Sequence, residues 1–68
     1  MIVTVNGEYR ELDEGVTVAM LVQSLGGPAD GRGVAVALAG EVVPRSQWPV
    51  TELHPDARVE VLIAVQGG

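Results

Sequence analysis

Sixty-eight residues make one small domain, with room for a single core and none for a deep enclosed pocket. Hydrophobic residues are 47% and the only aromatics are Tyr9 and Trp48, so the core is expected to be built of Val, Leu, Ile and Ala. A net charge of −5, with no lysine and scattered arginines (Arg10, Arg32, Arg45, Arg58), makes the chain a poor candidate for phosphate-backbone binding, and the absence of cysteine excludes disulfides, thiolate nucleophiles and Cys-bound zinc. Such a chain suits a partner with a basic docking surface rather than nucleic acid. No apolar run approaches the ~20 residues of a membrane span. Residues 1–5 lack the basic start of a signal peptide. The expectation is a cytoplasmic protein with no membrane partner.

The elements follow in chain order. Residues 1–6 alternate, with Val3 and Val5 on one face and Ile2 and Thr4 on the other, which predicts a strand. Asn6-Gly7 is a hairpin signal, because a type I′ turn wants positive φ at both central positions. Residues 9–12 then pair back. Asp13-Glu14-Gly15 breaks the pattern as a solvated turn. Thr17 is the expected N-cap of a helix over 18–25, whose Val18, Leu21, Val22 and Leu25 form one apolar stripe. Gly26-Gly27-Pro28 stops it, and a polar loop follows over 29–33. Gly31-Arg32-Gly33 is too short for a phosphate loop and has no P-loop context.

Residues 34–39 read as a third strand, with Val34, Val36 and Leu38 on one face and Ala35, Ala37 and Ala39 on the other. Gly40-Glu41 is read as the turn into a short strand at Val42-Val43, limited by Pro44. Residues 45–51 are irregular, with room for one helical turn. Trp48 is expected to cover the edge of the aliphatic core. Pro55-Asp56 marks a turn, and His54 is a loop residue with no second His or Cys to make a metal site. Residues 58–65 form the last strand, with Val59, Val61 and Ile63 on one face and Glu60, Leu62 and Ala64 on the other.

The order ββαβββ predicts an α+β domain of the β-grasp, ubiquitin-like type: a five-stranded mixed sheet with one main helix on one face. The last and most apolar strand should be central, beside the first. The domain is expected to span 1–65. The uncovered sheet face would carry Ile2, Ala35, Ala37, Ala39, Leu62 and Ala64, a flat apolar surface of the kind that docks a protein.

Residues 66–68 are read as a flexible tail ending in Gly67-Gly68. Glycine packs nothing but lets a backbone enter a channel too narrow for side chains. Read alone, this is either a frayed terminus or a carboxylate on a thin stalk. Extended, the three residues reach roughly 10 Å.

Met1-Ile2-Val3-Thr4-Val5-Asn6-Gly7-Glu8, Gly15-Val16-Thr17-Val18 and above all Gly40-Glu41-Val42-Val43-Pro44-Arg45-Ser46-Gln47-Trp48 resemble the bacterial sulfur-carrier proteins of thiamine biosynthesis, the ThiS family. The tail Ala64-Val65-Gln66-Gly67-Gly68 fits as well. Ala39 departs from the pattern, since asparagine is common there, and 26–33 is idiosyncratic.

The resemblance implies a protein that is a carrier and co-substrate rather than an enzyme. An E1-like adenylyltransferase would use ATP and magnesium to adenylate the Gly68 carboxylate. A sulfur relay such as a cysteine desulfurase would leave a thiocarboxylate there, and thiazole synthase would accept the sulfur. No cofactor is bound by the chain itself. Without cysteine, the chain could carry sulfur only at Gly68. Expected partner contacts are Gly67, Gln66, Val65, Ala64, Leu62, Ile2, Ala35, Ala37 and Arg45. The competing reading of Arg45 is a solvated or turn-stabilising side chain. Two other readings stay open: the small subunit of a molybdopterin synthase, although such chains are longer and richer in Phe, and a β-grasp module that binds without chemistry.

Overall fold

The computed structural model describes residues 1–28 and 30–64. The described elements are β1 (Ile2–Val5), β2 (Glu8–Glu11), α1 (Val18–Ser24), β3 (Val34–Leu38), β4 (Glu41–Val42), a 3-10 helix (Arg45–Val50) and β5 (Arg58–Ile63). They form one sheet in the order β2-β1-β5-β3-β4, with α1 against one face. β5 is central and runs parallel to β1 and antiparallel to β3. The predicted β-grasp arrangement is therefore the observed one.

The alternating residues fall where their period puts them, except that Ile63, expected beside Val59 and Val61, is exposed at the end of β5. Val3, Val5, Val36, Val59 and Val61 point under the helix and are buried, as are Val18, Leu21 and Val22 of the helix stripe. Leu53 and Trp48 close the core, and among the described residues no polar or charged one is buried. Thr17 caps α1: its Oγ1 accepts from the Met20 N–H at 3.2 Å, and its own N–H points to the Met20 Sδ at 3.4 Å. At the other end Gly26, at φ 84°, lets its N–H and that of Gly27 close on the Gln23 and Val22 carbonyls, the Schellman pattern.

Residues 45–50 are more regular than the sequence suggests. Pro49 has no N–H to give, which disfavours a continuous α-helix and suits a short 3-10 turn. That turn carries Trp48 inward, where its Nε1–H donates to the Val43 carbonyl at 2.9 Å.

Several boundaries differ from the sequence reading: β2 spans Glu8–Glu11 rather than 9–12, Leu25 is the C-cap of α1 rather than its last residue, and β5 ends at Ile63, short of the expected 65. The β3–β4 turn is Ala39-Gly40, not Gly40-Glu41: Leu38 pairs with Glu41, and Ala39 and Gly40 have φ of 50° and 83°, as a type I′ turn requires. β4 therefore spans Glu41–Val42, one residue earlier. A one-residue shift exchanges the faces of a strand, so Val42 points outward and Val43 packs against the core.

Candidate functional site

The open sheet face is built row by row from the strand register. Glu11 lies opposite Ile2. Tyr9 faces Thr4, and Thr4 faces Arg58. Glu60, Ala37 and Val42 form the next row. Leu62 and Ala35 form the last, before the chain leaves the sheet. Leu62 is 74% exposed and Val42 77% exposed, so an apolar cluster of Leu62, Ala35, Ala37 and Val42 faces solvent at the end of the sheet where β5 terminates. The ladder continues to Ala64, whose N–H donates to the Gly33 carbonyl at 2.7 Å.

Ile2 is not in that cluster. It shares the face and is partly exposed, but the parallel register sets it level with Asp56, whose N–H donates to the Ile2 carbonyl. Six strand residues separate that level from Leu62, roughly 20 Å. Ala39, unlike Ile2, is absent from the face itself, because its backbone turns there. The sequence reading omitted Val42, because the turn was placed one residue late, and Tyr9, which is 82% exposed on the open face.

Arg45 lies at the rim rather than on the open face. It lines a groove of about 520 Å³ with Gly31, Gly33, Ala35, Leu62 and Ala64. Gly31 is buried at φ 72° against the Arg45 stem and the Trp48 ring. A Cβ there would lie 2.6 Å from Arg45 Cδ and 2.8 Å from Trp48 Cζ3. The stem is thus packed while the residue remains exposed. Nothing in the local sequence around Gly31 signals this role, since the two residues it admits lie 14 and 17 positions on.

The remaining expected contacts, Val65, Gln66, Gly67 and Gly68, lie outside the described residues. No described helix is long and apolar enough to cross a membrane. The site as described is an exposed apolar cluster continuous, through Ala35 and Leu62, with a rim groove lined by the Arg45 cation, at the end of the central strand.

The ThiS family model matches residues 3–68. The chain belongs to the ThiS family. This ThiS-family chain is also similar to the crystal structure of the thiamine biosynthesis protein ThiS from Geobacter metallireducens, with a TM-score of 0.79, 34% identity and full coverage of both chains. An NMR solution structure of a thiamine biosynthesis protein from the same organism matches at a TM-score of 0.82 and 33% identity, over 100% of this chain and 88% of that one. The comparison with curated proteins returns no match.

Proposed function

We propose that the chain is a protein sulfur carrier of thiamine biosynthesis, and that the Gly68 α-carboxylate is its chemical site. The reading rests on the ThiS-family match, which runs through Gly68. A carboxylate is a poor electrophile. Adenylation by an E1-like partner, with ATP and magnesium, gives its carbon a leaving group. The terminal sulfur of a relay persulfide, such as that of a cysteine desulfurase, then displaces AMP to give an acyl disulfide. A second thiol reduces that bond, leaving a disulfide on the relay side and a thiocarboxylate on the chain that is nucleophilic near neutral pH. Thiazole synthase is the proposed acceptor. The partners supply the catalysis.

The chain's own contribution is docking and reach. Leu62, Ala35, Ala37 and Val42 offer apolar area, and Arg45 a charge, beside the end of β5. Residues 65–68 span at most about 13–14 Å when extended. That is enough to carry a terminal carboxylate from a docked domain into a narrow active site.

ATP–pyrophosphate exchange tests the reading. With an E1-like enzyme from the same organism, the full chain is expected to drive exchange, and deletion of Gly67 and Gly68 to abolish it. A chain that only binds would retain its function without those two residues.

A further inference from the structure

We propose that Arg45 is the residue by which the adenylating partner recognises the root of the tail, through a carboxylate side chain of the partner seated in the groove of Gly31, Gly33, Ala35, Leu62 and Ala64. This inference deepens the carrier reading and rests on it.

Three observations converge on Arg45. It is the only charged residue among the described residues lining the groove. Its stem packs against Gly31, whose missing side chain leaves the space, with the Trp48 ring on the same side. Among the described residues Arg45, like Arg10 and Arg58, makes no ion pair, but only Arg45 of these three lines the groove beside Ala64. A packed stem reduces the side-chain entropy lost when the guanidinium engages a ligand, and its planar fork matches a carboxylate in a two-point contact.

Charge makes the arrangement informative. The chain carries −5 overall, so a basic partner surface attracts it without fixing its orientation. A cation at the root of the tail marks the one orientation in which the tail meets the active site. A partner carboxylate at that point favours the correct landing and repels acidic surfaces presented there instead. The apolar lining of Ala35 and Leu62 strengthens such a pair by excluding water from one side.

The experiment measures ATP–pyrophosphate exchange by the E1-like enzyme as a function of carrier concentration and salt. R45M keeps an apolar stem against Gly31 and Trp48 but removes the charge. It is expected to raise KM at least about tenfold with kcat little changed, and R45E more so, while R45K falls between. The salt dependence of kcat/KM should change in R45M. Lysine substitution of the partner's acidic residues, one at a time, should yield one variant that restores R45E. A wild-type KM in R45M and R45E overturns the inference, as does failure of every partner substitution to restore R45E. A wild-type chain that drives no exchange defeats the carrier reading itself, and the inference with it.

Discussion

Asn6 does two jobs that its sequence context separates. With φ 52° beside Gly7 at 82°, it forms the β1–β2 turn. Its side-chain amide also donates to the Val61 carbonyl at 3.0 Å and accepts from the Val61 N–H at 2.8 Å. β1 has ended by that point, so the amide continues the parallel ladder along β5 in place of a backbone. Asn6→Gly keeps the turn and removes both bonds, and should lower stability by about 1–3 kcal/mol in urea unfolding. The turn is legible from Asn-Gly. The clamp is not, because it depends on a register set by a residue 55 positions away. Ala39 gives the opposite case. It sits at φ 50° with a Cβ that disfavours this region. Ala39→Asn should therefore raise stability by about 0.5–1 kcal/mol, read as a higher denaturation midpoint at constant m-value.

At the scale of elements, the strands and helix follow from period 2 and period 3.6, and these were legible. The helix stripe, its Thr17 cap and the two faces of β3 and β5 lie where alternation puts them. What periodicity could not locate was a turn whose first residue is alanine, so β4 was displaced by one and Val42 missed. Nor could it set Ile2 apart from Leu62, because sharing a face says nothing about position along the strand. The 3-10 helix depends on Trp48, which joins the core to the Val43 carbonyl. Trp48→Phe leaves that carbonyl without its donor and opens space beside Gly31. A loss of about 1–3 kcal/mol in thermal or urea unfolding is expected. Leu62→Asp should behave differently. Leu62 is 74% exposed, so stability should change by no more than about 0.5 kcal/mol, while exchange with the adenylating enzyme should require a higher carrier concentration. A variant that unfolds instead would place Leu62 in the core rather than on the docking face.

At the scale of the molecule, the fold positions the end of its central strand. The most apolar strand lies in the centre, anchored by β1 and β3, and its end meets the exposed cluster and the Arg45 groove, which share Ala35 and Leu62. The candidate site was partly legible: Leu62, Ala35, Ala37 and Ala64 from alternation, and Arg45 from its motif. Gly31 was not, because the need for a missing side chain appears only when the 3-10 helix folds back over it. The central claim is that Gly68 carries sulfur. Intact-mass analysis of the chain, after co-expression with its E1-like enzyme and a sulfur source, tests this most directly. The account predicts a mass gain equal to exchanging one oxygen for one sulfur, localised to Gly68 by fragmentation. An unchanged mass in the presence of an active adenylating enzyme and sulfur donor, or a sulfur located anywhere else in the chain, would contradict it.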